Sequence, residues 1–405
     1  MFCVVVRPHR SYLLVMRLFS AFMLLVAISA FGQTNEPYHL HLLSPTDYQV
    51  FQRQTAGTGR IVVDVAIETT NRGTLTNLDK LEARLTGLPA DRKGPDEWQP
   101  LPFDNRVRHF RAELTVPAGG WYQFEMRLVS HGTNIATEMV TNVGIGEIFV
   151  IGGQSNSANH GEEKQAPKSP TVVVWNTNHW QPAGDPEPGA SGKGGSFLPA
   201  FGDAMAEKYK VPIGLVAIGE GSTSVREWLP RDDRMAAPPD TGRHTIFAGT
   251  NLWLSNGELF DRILAAQQTL GTNGFRAFLW HQGESDCNEP PDRQITPQQY
   301  RGYLQRIVEA SRASAGWRVP WFVAQASYHP GDTGSPELRA AQKSLATDGI
   351  VLAGPNTDEL GPEFREKSGK GIHFNAHGLQ RHGELWAETV GAWLDRELYG
   401  VGSAK

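Results

Sequence analysis

The sequence predicts an α/β protein in which a parallel, doubly wound sheet follows a smaller all-β region. From Gly144 onward, short apolar runs of strand type alternate with segments of helical periodicity, which is typical of a parallel sheet covered by helices. From residue 38 to 143, short alternating runs are separated by glycine- and proline-rich turns. We therefore expect a small β-sandwich domain at 38–143 and an α/β domain at 144–398.

The first 33 residues have the layout of a secretory signal peptide. Three arginines precede the apolar run Leu18–Phe31, which contains small residues near its end. This run is short for a membrane span. We expect an exported protein, periplasmic or extracellular, that is not membrane-bound after the signal is cleaved.

Charge and cysteine content argue against nucleic-acid and lipid partners, an internal disulfide and a zinc site. The net charge of −5 becomes more negative when the signal arginines are removed, so nucleic acid and anionic lipid are poor candidates. Only Cys3 and Cys287 are present, and Cys3 falls within the signal, so the mature chain has no internal disulfide. No Cys/His cluster has zinc spacing, and we expect neither a metal nor a cofactor.

The strands and helices of the second region can be assigned from periodicity. Thr296 and Ser335 are expected to cap helices that start at the prolines following them. The predicted strands are Ile148–Ile151, Val172–Trp175, Ile213–Ile218, Phe275–Trp280, Trp321–Gln325 and Ile350–Ala353. The predicted helices are Phe197–Tyr209, Phe260–Leu270, Pro297–Ala313, Pro336–Ala346 and Asn375–Glu397.

The segment Glu147–Ser157 is the most informative part of the sequence. An apolar strand ends in Gly152 and Gly153, and Ser155 follows almost at once. A serine just past a strand end lies at the rim of an open sheet, where α/β enzymes place their reactive groups. We interpret Ser155 as a nucleophile; the alternative is a turn or helix-cap serine.

Three further segments follow predicted strands and should meet Ser155 at the same rim. They are Ile218–Thr223, Trp280–Asp286 and Gly369–Phe374. Together the four segments contain the groups that acyl transfer needs: a hydroxyl, an imidazole base and donors for an oxyanion.

We assign these roles to particular residues. His373 is the expected base, with His160, His281 and His377 as competitors. The expected oxyanion donors are the N–H groups of Ser155 and Gly221 and the side-chain amide of Gln282. Gly221 and Gln282 also fit plain turn and capping roles. A glycoside hydrolase using Glu284 and Asp286 is disfavoured because side chains two residues apart cannot easily flank one sugar bond.

In these four segments the chain resembles the sialate O-acetylesterase-like carbohydrate esterases, a branch of the SGNH (GDSL-type) hydrolases. The resemblance runs from about Gly146 to Trp393. The matching pieces are Gly153-Gln154-Ser155-Asn156, Gly221-Ser222-Thr223 leading to Trp228, His281-Gln282-Gly283-Glu284-Ser285-Asp286 and Gly371-Ile372-His373-Phe374.

The resemblance implies a flavodoxin-like, three-layer α/β/α fold and a serine esterase that removes O-acetyl groups from sialic acid or plant polysaccharide. By position, Ser155 is the nucleophile and His373 the base. Gln282 takes the place of the oxyanion asparagine of other SGNH enzymes. A non-catalytic glycan-binding protein on the same fold is the alternative.

The chain departs from the family pattern at the residue that orients the histidine. Relatives have an aspartate three residues before it, whereas this chain has Lys370, which cannot accept the imidazole N–H. The chain then either works as a Ser–His dyad or takes an acid from elsewhere. Glu284 is the first candidate for this acid because its segment reaches the same rim; Asp286 and Asp358 are alternatives.

Overall fold

The computed structural model describes residues 38–69, 78–87, 96–331 and 334–400, so the predicted signal peptide lies outside the described residues. One compact unit spans Tyr38–Lys405. It is a mixed α/β structure built around an eleven-stranded mixed sheet. Within the described ranges, no helix is both long enough and apolar enough to cross a membrane.

The described residues before Gly144 form strands and turns. The strands are β1 (Tyr38–Ser44), β2 (Val50–Gln52), β3 (Thr58–Thr69), β4 (Lys80–Thr86), β5 (Gln99–Leu101), β6 (His109–Pro117), β7 (Gly119–Ser130) and β8 (Thr133–Gly153), of which β8 continues past Gly144. Strands β1, β3 and β6 pair into an antiparallel sheet of their own, whereas β2, β4, β5 and β7 connect to β8 directly or through one another. Alternate residues of β3 are buried, as expected for a sheet with one face on the core.

The predicted alternation of strands and helices after Gly144 is confirmed. The strands are β9 (Val172–Asn176), β10 (His179–Pro182), β11 (Ile213–Ala217), β12 (Arg234–Met235), β13 (Thr245–Gly249), β14 (Leu252–Ser255), β15 (Ala277–His281), β16 (Trp321–Gln325) and β17 (Leu352–Asn356). The longer helices are Leu198–Tyr209, Glu258–Leu270, Pro297–Ala315, Pro336–Thr347 and Ala376–Tyr399, and a short one is Glu284–Cys287.

Two helix starts follow the predicted capping chemistry. The Thr296 hydroxyl accepts a hydrogen bond from the Gln299 N–H at 3.1 Å, and the Ser335 hydroxyl accepts one from the Leu338 N–H at 3.1 Å. A proline occupies the first turn of each helix, where its missing N–H costs nothing.

Strand β8 passes through the predicted domain boundary without a break. Its first part pairs antiparallel with β7, and its last residues pair in parallel with β11 and β15. The same strand therefore belongs to the N-terminal strands and to the central sheet. A separate small all-β domain is not confirmed, and the division near Gly144 stays a prediction.

The central sheet has the order β10-β9-β11-β8-β15-β16-β17. After β8 the chain builds β9 and β11 on one side and then crosses to build β15, β16 and β17 on the other. All residues of β8 from Val143 to Gly153 are buried, as expected for a strand covered on both faces. The order reverses beside β8, and ligands in open α/β sheets bind outside the carboxyl ends of the strands at such a point.

A buried charge cluster fixes the start of this central segment of β8. Glu147 is fully buried and accepts hydrogen bonds from Gln52 at 2.8 Å, Arg53 at 2.5 Å and Arg276 at 2.6 Å. These partners come from β2, from the residue after it and from the residue before β15. Glu147 therefore joins the N-terminal strands to the central sheet.

Replacing Glu147 with glutamine is expected to lower the free energy of unfolding by about 3–5 kcal/mol, because it leaves two arginines without their shared buried carboxylate. The matched control is Glu113→Gln, which breaks the solvent-exposed pair Arg60–Glu113 and is expected to cost less than about 1 kcal/mol. Urea denaturation of both variants measures the difference. Equal midpoints would show that the cluster does not hold the two parts together.

Candidate active site

Ser155 lies at the carboxyl end of β8, where the strand order reverses. It opens the 3-10 turn Ser155–Ser157 directly after the strand and Gln154. Gly153 has a φ of 124°, and a Cβ there would lie 2.0 Å from the carbonyl oxygen of His281, so only glycine fits. The Gln154 N–H donates to that same carbonyl at 2.9 Å. The turn is thus anchored on the end of β15.

The Ser155 side chain is buried, and its hydroxyl is free among the described residues. Only 4% of the residue is exposed, and its Oγ makes no hydrogen bond to any described residue. The neighbouring polar side chains are engaged: the Ser157 hydroxyl donates to the Gln154 carbonyl at 2.8 Å, and the Asn156 amide donates to Glu284 at 2.7 Å.

The segment that carries His373 runs beside the Ser155 turn. The Asn156 amide also donates to the carbonyl of Ile372 at 3.4 Å, and the Glu162 N–H donates to the carbonyl of Phe374 at 2.9 Å. Two segments more than 200 residues apart in sequence therefore meet at the rim, as the sequence predicts.

The carboxylate that contacts His373 is Glu366. Its Oε1 lies 2.9 Å from His373 Nδ1, and about a fifth of the His373 side chain is exposed. An antiparallel bridge between Arg365 and Phe374 brings Glu366 beside His373. The Glu366 N–H donates to the His373 carbonyl at 2.9 Å.

A turn in the left-handed backbone region allows Glu366 to contact His373. Lys367, Ser368 and Gly369 all have positive φ, of 53°, 56° and 85°, so the chain reverses within a few residues. A Cβ on Gly371 would lie 2.1 Å from Glu366 Cγ, so glycine leaves the room that the carboxylate occupies.

The prediction that Glu284 orients His373 is corrected by these contacts. Glu284 faces His281 instead, with its Oε1 2.9 Å from His281 Nε2. Burial alone would raise the pKa of Glu284, but the charge of His281 and hydrogen bonds from His281 and Asn156 lower it to about 2.

The two alternative acids also bind elsewhere. Asp286 accepts hydrogen bonds from the Ser224 hydroxyl and the Val225 N–H. Asp358 accepts from Ser327 and Arg339. Neither carboxylate contacts His373, because each is used to hold a neighbouring loop.

Sequence reasoning missed Glu366 because it lies seven residues before the histidine rather than three. A signal was present in the segment Gly369-Lys370-Gly371. Glycines on both sides of Lys370 indicate a chain reversal, and a reversal brings a carboxylate before the turn opposite a histidine after it.

The predicted oxyanion donors Gly221 and Gln282 already donate to acceptors within the protein. The Gly221 N–H donates to the Ser191 hydroxyl at 2.7 Å. Gln282 is fully buried, and its amide donates to Gln154, to the Thr223 carbonyl and to Asp286. Its predicted role as an oxyanion donor finds no support in this arrangement, since protein acceptors take its hydrogens.

Of the competing histidines, only His160 lies next to His373. Their ring centroids are 5.4 Å apart, and His160 Nε2 is 3.2 Å from the Ser191 hydroxyl. Burial, followed by the nearby His373, lowers the pKa of His160. His281 is buried against Glu284, and His377 packs against Phe364. In the described part of the chain, no three His, Cys, Asp or Glu side chains form a group that could hold a metal.

Glu187 is a buried acid in the loop beside this site. Only 1% of the residue is exposed, and within the described chain neither carboxylate oxygen has a hydrogen-bond partner. Its backbone N–H donates to Asn159 Oδ1 at 2.7 Å. Burial, followed by the charge of Asp185, raises the pKa of Glu187 to about 8.

Glu187 is expected to make the protein less stable as the pH rises. Its folded-state pKa lies above the unfolded value of 4.5. The stability that the protonated form contributes is therefore fully present below pH 4.5 and is lost as the pH rises to about 8. Glu187→Gln should therefore gain stability relative to wild type between about pH 5 and pH 9, by a few kcal/mol at about 1.4 kcal/mol per pKa unit. Denaturation curves of wild type and Glu187→Gln at both pH values, with Glu113→Gln as control, test this. If the free energy of unfolding changed equally with pH in wild type and Glu187→Gln, the prediction would be wrong.

Comparisons with known proteins bear on the family and the fold. A family described as "Carbohydrate esterase, sialic acid-specific acetylesterase" matches residues 145–391. A solved carbohydrate acetylesterase from Xanthomonas citri is 17% identical, with 89% of this chain and 76% of that chain covered and a TM-score of 0.51, which shows a shared fold. No match is found among curated proteins.

Two further solved structures overlap less closely. A protein from Arabidopsis thaliana is 18% identical over 60% of this chain and 96% of its own, with a TM-score of 0.42. The acetylxylan esterase Axe2 from Geobacillus stearothermophilus is 10% identical over 63% of this chain and 94% of its own, with a TM-score of 0.36.

Proposed function

Because the chain belongs to the sialic acid-specific acetylesterase family of carbohydrate esterases, and is thus a carboxylic ester hydrolase that removes O-acetyl groups from carbohydrates, we propose that it works through an acetyl-enzyme on Ser155. His373 is the general base, and Glu366 orients it. We also propose that the protein is exported, as its N-terminal segment predicts, and that residues 144–398 form a three-layer α/β/α esterase domain preceded by a β-sandwich at 38–143.

One observation carries the proposal: neither of the two reactive atoms has a hydrogen-bond partner among the described residues. His373 Nδ1 is bound to Glu366, so its proton resides there and the lone pair is on Nε2. Neither His373 Nε2 nor Ser155 Oγ makes a hydrogen bond to another described residue. A hydroxyl and an imidazole lone pair on adjoining segments are the groups that must combine to make serine nucleophilic.

The reaction follows from these groups. Ser155 Oγ attacks the acetyl carbonyl while His373 Nε2 takes the hydroxyl proton, and the tetrahedral intermediate collapses when the sugar oxygen leaves with that proton. Water then attacks the acetyl-enzyme, again with His373 as base, and acetate leaves as Ser155 regains its proton. The Glu366 carboxylate stabilises the imidazolium at both stages.

Backbone donors supply the oxyanion site in this proposal. The Ser155 N–H stands at the start of a 3-10 turn, where the turn itself offers no acceptor. The Gly221 N–H would exchange its bond with the Ser191 hydroxyl for one with the oxyanion. One such donor typically contributes about 3 kcal/mol in the transition state.

The substrate we propose is an O-acetylated glycan, either sialic acid or a plant polysaccharide. The test is acetate release from O-acetylated sialic acid and from acetylated xylan, combined with mass spectrometry of enzyme quenched during turnover. We expect a 42-dalton acetyl adduct on the peptide that contains Ser155. Acetate release without any adduct would contradict the covalent route. Binding without acetate release would favour a glycan-binding protein, and new reducing ends without acetate would favour a glycoside hydrolase.

A further inference from the structure

A row of five buried polar side chains lies between the last helix and the Ser155 turn. It runs through Trp386, His382, His281, Glu284 and Asn156, and no member is more than 6% exposed. Each contacts the next at hydrogen-bond distance. Because the row is buried, we place the protons so that no two donors and no two lone pairs face each other across these contacts.

The first proton position is fixed by Trp386. An indole N–H can only donate, and it lies 3.1 Å from His382 Nε2, so that nitrogen must offer a lone pair. Burial, followed by the charges of His281 and Arg365, lowers the pKa of His382 well below its usual range. His382 is therefore neutral, and its single ring proton is on Nδ1, which is buried without a hydrogen-bond partner among the described residues. The His382 ring packs against Phe197 and Phe374.

His281 must then donate from both of its ring nitrogens. Its Nδ1 is 3.1 Å from His382 Nε2, and two lone pairs at that distance would repel, so the one lone pair of His382 Nε2 is shared by the N–H groups of Trp386 and His281. Its Nε2 is 2.9 Å from Glu284 Oε1, which also accepts the Asn156 amide at 2.7 Å. A neutral imidazole has only one N–H and cannot satisfy both contacts.

We propose that His281 is held as a buried imidazolium paired with ionised Glu284, and that this pair is a positioning device for the active site. Two further charged groups of the described chain bear on the pair. Arg365, which stacks between the rings of Tyr328 and Phe374, interacts electrostatically with Glu284, and Asp286 lies two residues after Glu284 on the same short helix. Burial on its own favours a protonated Glu284, but the contacts described above outweigh it.

The pair acts on the reaction through Asn156. The Asn156 amide joins Glu284 to the carbonyl of Ile372, the residue before His373, and its backbone follows Ser155. The carboxylate thus sets the distance between the segment with the hydroxyl and the segment with the base. This role rests on the proposed function, whereas the protonation state of His281 does not depend on it.

The protonation state is tested by nitrogen NMR of the full chain labelled at histidine, near pH 8, where an ordinary histidine is neutral. We expect one histidine with two slowly exchanging ring N–H groups, and its loss in His281→Gln. If His281 shows a single N–H at that pH, the proposal is wrong. The measurement needs no activity, so it can also be made in Ser155→Ala.

A second variant tests the cause. Trp386→Phe removes the indole donor, so His382 can carry its proton on Nε2 and donate to His281 Nδ1, and a neutral His281 then satisfies Glu284. We expect one N–H signal of His281 to disappear. Trp393→Phe is the matched control on the same helix and should leave the spectrum unchanged, since Trp393 packs against Phe322. Retention of both signals in Trp386→Phe would overturn the argument.

The positioning role is tested by Glu284→Gln. Loss of the charge should lower kcat about tenfold to a hundredfold with little change in KM, because a misplaced nucleophile affects the chemical step. The pH at which the rate falls on the acid side should stay the same, since His373 and Glu366 are untouched. A kcat within twofold of wild type would show that the pair has no positioning role. If Ser155→Ala also kept activity, the failure would lie in the proposed function instead.

Discussion

Replacing Ser155 with alanine is expected to lower kcat for acetate release by at least about a thousandfold while the protein stays folded. Without the hydroxyl, water must attack the ester directly, and only the oxyanion donors and substrate binding still contribute. The side chain makes no hydrogen bond to described residues, so its removal should have little effect on stability. Initial rates with an acetylated sugar and with p-nitrophenyl acetate measure the change.

The matched control for this variant is Ser157→Ala, two residues further along the same turn. The Ser157 hydroxyl is buried and donates to the Gln154 carbonyl at 2.8 Å, so this variant should cost about 1 kcal/mol of stability and keep most of the rate. Equal losses in the two variants would mean that the turn matters as a structure and that Ser155 has no special chemical role.

The meeting of the Ser155 turn with the segment that carries His373 was predictable because it follows from topology. Strand–helix alternation produces a parallel sheet, and the carboxyl ends of its strands share one rim. Local signals were sufficient for this step. The apolar strand pattern and the two glycines at its end predict the position of Ser155 from local sequence, whereas the contact with the His281 carbonyl that requires glycine at 153 is visible only in the structure.

The domain boundary was harder to predict because glycines have more than one use. The predicted boundary at Gly144 rests on a change of sequence pattern, and Gly146 lies two residues further on. In the structure they lie inside β8, where Pro212 packs so closely that a Cβ on Gly146 would be 1.8 Å from its carbonyl oxygen. Close packing and chain flexibility both select glycine, and only the tertiary contact distinguishes them.

The roles of Gln282 and Glu284 were unpredictable for a related reason. Their segment follows β15 at the correct rim, but a segment at a rim has side chains that point outward and side chains that point into the core. Here Gln282 and Glu284 point into a buried network with Gln154, Asn156 and His281. Sequence spacing on a short loop does not fix that choice.

Replacing Glu366 with glutamine is expected to lower kcat by about a hundredfold to ten-thousandfold. The Glu366 carboxylate accepts the His373 Nδ1 proton and so leaves the lone pair on Nε2, whereas an amide can donate to Nδ1 and favour the wrong tautomer. It also removes the charge that stabilises the imidazolium. Because the imidazolium forms only as Ser155 attacks, the loss should be in kcat more than in KM.

The control carboxylate is Glu363, which is exposed on the same segment; Glu363→Gln removes an equal charge and should stay within about twofold of wild type. Lys370→Ala should be similarly mild, since Lys370 is exposed. If Glu366→Gln kept nearly full activity, a Ser–His dyad would suffice. If instead only Glu284→Gln were severely impaired, the acid contacting His373 would not be the one that catalysis needs. The relative rates of these four variants therefore decide which carboxylate serves the histidine.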